Sequence, residues 1–342
     1  MKKIILYVLL LAVVVGAVFY AFGMLSGHLG NSKSGKEGGE LAESIDGTYV
    51  LASVAAKRPY AVVIENHPDA RPQSGLADAD LVYESLTEGG ITRYLAFFQT
   101  KEPNYLGPIR SARTYFAQIA DEWHAIFAHV GGNSDVLKNL RDGAYPNLSD
   151  EDEYFNTEYF HRIGGRVAPH NVYTSIEKLS SLAEAKSYFA DASYAPFTFK
   201  TDGAGDEPAA TAASMLTLDF SFKEYKARYQ YQKDTNDYAR YLAGAPDYDT
   251  SPSNPIVAKN IIVAFVAAMP TVTDTPESED LKLEGRGDGY VFRDGQAIKA
   301  TWKKSGNKTR YYDLAGREIA FNRGVIWIEL VPLVRQGSVT WK

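Results

Sequence analysis

The stretch RPYAVVIENHPDARPQSGLADADLVYESLTEGGITRYLAFFQ, residues 58–99, holds three apolar runs set apart by turn formers, and its reading decides what kind of fold follows. Tyr60 to Glu65 is predicted as a strand, because Val62, Val63 and Ile64 stand together and the turn-prone Asn66-His67-Pro68-Asp69 ends the run. Leu81 to Leu86 and Ile91 to Gln99 are predicted as two further strands on either side of Thr87-Glu88-Gly89-Gly90, the arrangement of a hairpin.

Beyond this stretch the period changes. Phe116, Ile119, Ala120 and Trp123 recur at helical spacing behind Ser111, a candidate cap, and Ala125 to Val130 is a short apolar strand closing at Gly131-Gly132. A further helix is predicted from Thr174, where Thr174 and Glu177 have capping-box spacing and Ile176, Leu179 and Leu182 face inward. Residues 58–205 are therefore read as an α/β module with a mixed sheet. The small, acidic TDGAGDEPAA at 201–210 marks a boundary, and residues 206–342 are predicted as a β-rich module. There Leu216, Leu218, Phe220 and Phe222 alternate with polar residues, a polar turn at Lys233 to Asp237 separates two strand patterns, and Asn260 to Ala267 reads as a buried strand. Arg293-Asp294-Gly295, Ser305-Gly306-Asn307, Ala315-Gly316 and Asn322-Arg323-Gly324 punctuate the strands that follow. Trp302 and Trp327 are expected in their core. The acidic run Asp150-Glu151-Asp152-Glu153 is read as a solvent-facing loop, since it lacks the central glycine and terminal glutamate of a calcium loop.

At the other end of the chain, IILYVLLLAVVVGAVFYAFGML, residues 4–25, is uncharged and spans about 33 Å at helical rise, enough for a transmembrane helix. Lys2 and Lys3 precede it, so residues 1–3 are expected in the cytoplasm and all that follows outside the cell membrane, on a single-pass signal anchor. Its exit, near Phe19-Tyr20-Ala21, is a poor cleavage site. Residues 26–57, rich in Gly, Ser, Lys and Glu, are expected as a flexible tether. The absence of cysteine excludes disulfides, thiolate–zinc sites and a thiol nucleophile. A net charge of −6 argues against nucleic acid as a partner, because phosphate neutralisation needs a basic face.

RPYAVVIENHPDARPQSGLADADLVYE, EGGITRYLAFF, GPIRSAR, HVGG and HNVYTS, in this order, resemble the N-terminal module of the YerB-like bacterial lipoproteins. GYVFRDGQAIKATW and GREIAFNRGVIWIELVP resemble their smaller C-terminal module. The resemblance implies an α/β module with an appended β module at the outer face of the membrane, and supplies no activity. Lipoproteins of that family are held through a Cys that this chain lacks, so the transmembrane segment is expected to take the place of the lipid.

Two groups of side chains are candidates for chemistry. Arg93, Arg110, Ser111 and Arg113 gather guanidinium groups suited to a phosphate or carboxylate, at what reads as a helix start after Gly107-Pro108. The alternative is that these arginines pair with Glu65, Glu84, Glu88 or Asp121 and hold the module together. His67, His129 and His170, with Asn66 and Asn171, stand at strand ends and turns, where sites tend to lie. The histidine spacing fits no motif such as H-E-x-x-H, so they are read as hydrogen-bonding residues, with no metal and no cofactor assigned. No G-x-S-x-G elbow is present. The leading expectation is a binding protein for an anionic or glycan component of the cell envelope. A cell-wall assembly enzyme acting on phosphate- or sugar-containing substrates is the first alternative, and a structural or regulatory partner of a membrane protein the second.

Overall fold

Strands β3 (Tyr60–Glu65), β4 (Leu81–Leu86) and β5 (Thr92–Phe98) form the centre of a mixed sheet, with β5 antiparallel to both of its neighbours. The computed structural model describes residues 40–188, 191, 193–203, 210–250, 254–270 and 279–342. The expected cytoplasmic N-terminus, transmembrane segment 4–25 and most of the tether lie outside the described residues. Among those described, no helix is long and apolar enough to cross a membrane.

β3 continues into parallel β6 (Ile126–His129) and β7 (Ser149–Asp152), while on the other side β4 pairs in parallel with β15 (Ile326–Pro332), which pairs in parallel with β11 (Asn260–Pro270). Antiparallel β12 (Arg286–Arg293), β13 (Gln296–Ser305) and β14 (Lys308–Tyr312) extend that edge. Strands from both sides of the expected boundary at 201–210 thus belong to one sheet, of twelve strands among the described residues. A second sheet is built on β8 (Met215–Asp219), β9 (Lys226–Gln232), β10 (Asp237–Leu242) and β16 (Val339–Trp341), where β9 and β10 form the hairpin expected around the polar turn.

Alternation in the central strands feeds two cores. Val62, Ile64, Val82 and Tyr94 pack with the second sheet and with helix α3 (Ile176–Ala185), whereas Ala61, Val63, Tyr83 and Phe97 pack on the opposite face with helix α1 (Thr114–Glu122) and Trp123. β3 is buried on both faces, which is why its sequence reads as an unbroken apolar run. Trp302 and Trp327 are buried, as expected.

Four local expectations are corrected. Residues 41–57, expected as the end of the tether, carry a short antiparallel pair, β1 (Leu41–Glu43) and β2 (Tyr49–Leu51), and one helical turn, Ala52–Ala55. Ile45 is fully buried and its amide donates to Gln99 Oε1 at 2.8 Å, so a single apolar side chain and its neighbours dock a segment whose composition reads as linker. The cap of α3 is Ser175, whose hydroxyl accepts from Lys178 N at 3.2 Å, because Thr174 is held one residue earlier by bridging to Leu106 and donating to Tyr159 O. Ser111 caps nothing: α1 begins three residues later, with Arg113 in the cap position. The acidic run at 150–153 is not a solvated loop, since Asp150, Glu151 and Asp152 belong to edge strand β7, with Glu151 fully buried. Helix α2 (Ser134–Arg141), which the sequence reading passed over, is capped by Asn133 Oδ1 accepting from Val136 N.

A charged network is buried where the two sheets meet. Arg240 of β10, 1% exposed, donates to Glu84 Oε2 of β4 at 2.6 Å, to Asp247, and through Nε to the Tyr229 hydroxyl at 3.1 Å. Its guanidinium lies 4.6 Å from the ring centre of Trp327, and Tyr229 donates to Glu329. Parallel register sets Glu329 of β15 directly beside Glu84, and burial, with that second carboxylate, pushes the Glu329 carboxyl well above the ordinary range.

Candidate functional site

β3, β4, β6 and β7 all run in one direction, so their C-terminal ends lie along one sheet edge, the place where α/β folds present ligand-binding groups. Glu65 is the last residue of β3 and stands in register with Arg93 of β5. The segment after Gly107-Pro108 returns to this edge: Glu65 N donates to Pro108 O and Arg110 N to Val63 O, each at 2.9 Å, which sets Arg110 beside Glu65. Arg113 follows at the cap of α1 and Glu88 lies in the turn between β4 and β5.

The arginines and carboxylates interlock. Arg110 Nε donates to Glu65 Oε1 at 2.9 Å, and Arg113 forms a two-pronged pair with Glu88 through Nε and Nη2. Burial would raise the Glu88 carboxyl, but the Arg113 hydrogen bonds and the charges of Arg113 and Arg93 outweigh it and bring the group down to about 2. Arg93 is 7% exposed and has no carboxylate bonded to it: Nη1 donates to Ser111 O at 2.8 Å, while buried Nε has no partner among the described residues. Burial first, then the neighbouring Arg113 and Arg110 charges, bring its guanidinium down to about 10. Three arginines are thus set against two carboxylates, and one of those is shared. Glu65 Oε2 lies 3.0 Å from His170 Nδ1, and the His170 ring stacks on His67 with centroids 4.6 Å apart. His67 begins the turn Pro68–Ala70, its Nδ1 accepting from Asp69 N at 3.2 Å. One ligand atom each from His67, Asp69 and His170 lie within 4.8 Å of one another.

Of the residues singled out in the sequence, Arg93, Arg110, Arg113, His67 and His170 therefore meet along this edge. Ser111 contributes its carbonyl, to Arg93. Asn66 is a brace: it donates to Thr92 Oγ1 at 2.7 Å and accepts from Arg71 and Gln73. Asn171 closes its own loop by accepting from Arg162 at 3.0 Å. His129 stands apart, fully buried at the end of β6 between Gly131 O and Asp150 Oδ1, each at 2.8 Å. Burial lowers its basicity, but the Asp150 hydrogen bond and charge, with Asp152, raise it further. The arginine pairing with Glu65 and Glu88 was among the partners considered from sequence. Asp69 and the bridging role of Glu65 were missed, because His67 and His170 stand more than a hundred positions apart in the chain and no local spacing joins them.

A cleft of about 520 Å³ opens at the opposite ends of the same strands, lined by Arg58, Tyr60, Gln99 and Ile126. Arg58 there spends its donors on His124 O, Ala125 O, Asn147 O and the Ser149 hydroxyl. The concentration of shared and unsatisfied charge favours the arginine edge as the site.

Residues 47–189 match the family described as "Protein of unknown function (DUF3048) N-terminal domain", and residues 216–328 match its C-terminal domain. The chain is 34% identical to YerB of Bacillus subtilis (strain 168), named as a lipoprotein, over 88% of this chain and 89% of that protein. The crystal structure of YerB from Bacillus subtilis superposes with a TM-score of 0.78 at 30% identity, covering 88% of this chain and 99% of that one. On both sequence and fold, the chain belongs to the YerB-like family.

Proposed function

We propose that this protein is a membrane-anchored, extracytoplasmic binding protein that holds an anionic group of a cell-envelope component at the edge formed by Arg93, Arg110 and Arg113. The observation that carries the reading is the buried Arg93 guanidinium, bonded to a carbonyl, short of one partner and crowded by two further arginines. A phosphate or carboxylate supplies the missing acceptor and offsets the excess positive charge, and guanidinium groups are built for that bidentate contact. Extracytoplasmic location is supported by the lipoprotein name of YerB and by the uncharged run at 4–25 behind Lys2 and Lys3. Residues 4–25 serve as the anchor in this reading.

The test is thermal unfolding of the full-length chain in detergent, with pyrophosphate, an anionic wall glycan or a neutral glycan. Ligand at about 100 times its dissociation constant adds roughly 2.7 kcal/mol. The anionic ligands are expected to raise the midpoint, the neutral glycan is not, and Arg110→Ala is expected to abolish the shift. Equal shifts for neutral and anionic glycans would contradict the reading.

A further inference from the structure

We infer that His67, Asp69 and His170 form a binding site for a borderline divalent transition metal of the zinc class. These three side chains form a group of their own, whether or not the arginines hold an anion. The site departs from the expectation, drawn from chain spacing, that the histidines only hydrogen-bond.

Two imidazoles and one carboxylate are the donor set that suits such ions, in contrast to the all-oxygen sets of calcium and magnesium. The three ligand atoms lie within 4.8 Å of one another. His67 Nδ1 and Asp69 Oδ2 are 3.6 Å apart, close to the roughly 3.4 Å between two ligands of a tetrahedral zinc with bonds of about 2.1 Å. Asp69 N donates to His67 Nδ1, so that nitrogen is unprotonated, and an ion bound there replaces this hydrogen bond on the same lone pair.

His170 supplies the second observation. Its Nδ1 lies 3.0 Å from Glu65 Oε2, and Glu65 is in turn fixed by Arg110 at 2.9 Å. With the proton on Nδ1, His170 donates to the buried Glu65 carboxylate, and this tautomer leaves the Nε2 lone pair to ligate the metal. This is the carboxylate–histidine–metal arrangement in which the outer partner orients the ligand and strengthens it. The stack of His67 on His170, with an interplanar angle of 16°, keeps the two rings adjacent, and one of them turns for both in-plane lone pairs to meet at one ion. Three protein ligands leave a tetrahedral ion one open position for water or an exogenous anion.

The measurement is zinc content by mass spectrometry of the untagged full-length chain after equilibration with zinc and exhaustive dialysis, followed by competition with a chromophoric chelator. The expected result is one zinc per chain, lost in His67→Ala and in Asp69→Asn. Both side chains are partly solvent-exposed, at 32% and 74%, so these variants test ligation and not the core. Glu65→Gln, which keeps the shape and removes the outer charge, is expected to weaken zinc by about 10–100-fold with the stoichiometry retained. Zinc at or below the level of the double variant His67→Ala/Asp69→Asn, or stoichiometric zinc unaffected by both single changes, would overturn the assignment. Zinc retained in a chain that binds no anion would count against the arginine reading alone.

Discussion

Arg240→Ala lowers the unfolding free energy by about 3–5 kcal/mol, the cost of breaking a buried ion pair by removing one partner. The charge left behind is Glu84, with no exposed surface, in the middle of the sheet. Its pairing to Arg240 at 2.6 Å joins β4 to the second sheet, and Tyr229, Asp247, Glu329 and Trp327 close the network around that guanidinium. Because the penalty is that of an orphaned charge, Glu84→Gln added to Arg240→Met should recover much of it. Chemical denaturation of residues 41–342 measures both. A loss below about 1 kcal/mol for Arg240→Ala, the size of a surface pair, would show that water or a counter-ion reaches the site.

The second large effect is on pH dependence. Glu151 is fully buried in β7, both of its oxygens lack partners among the described residues, and burial pushes its carboxyl up to about 8. A group with a raised folded pKa binds more protons folded than unfolded, so stability falls as pH rises from the ordinary carboxyl range through the folded value. Asp80, raised to about 6 by burial and Asp46, His129, raised by Asp150, and Glu329 act with the same sign. Glu88, brought down to about 2, acts oppositely: it stabilises above the ordinary carboxyl range and that contribution is lost as pH falls toward 2. Stability is therefore expected to peak near pH 5 and decline toward pH 8, with Glu151 alone contributing up to about 4 kcal/mol of the decline. Urea midpoints across this range should flatten in Glu151→Gln. Parallel profiles for the two proteins would show that Glu151 is ionised at little cost.

Legibility of this chain from its sequence followed the range of the interactions. β3, β4 and the β9–β10 hairpin were readable because a strand buried on both faces is an apolar run and a hairpin is closed by local turn residues. β7 was not, since Asp150 and Asp152 are accommodated by distant groups, His129 and the Gly131 amide, while Glu151 is buried with no partner among the described residues. Ile45 illustrates the same limit, as its segment is held by Gln99, which accepts from the Ile45 amide, and by Gly324, whose amide donates to Asp46 O, both far away in the chain. At the candidate site, residue type pointed to the arginines and histidines. The pairing of Arg110 and His170 through one glutamate required the sheet edge that brings residues 65, 110 and 170 together.

The most direct measurement is calorimetric titration of the full-length chain with pyrophosphate in chelator-treated buffer. A saturable heat is expected, lost in Arg110→Ala and weakened by added salt, as a contact between guanidinium and phosphate requires. Absence of saturable heat, or the same binding curve in Arg110→Ala, would contradict an anion site at the arginine edge.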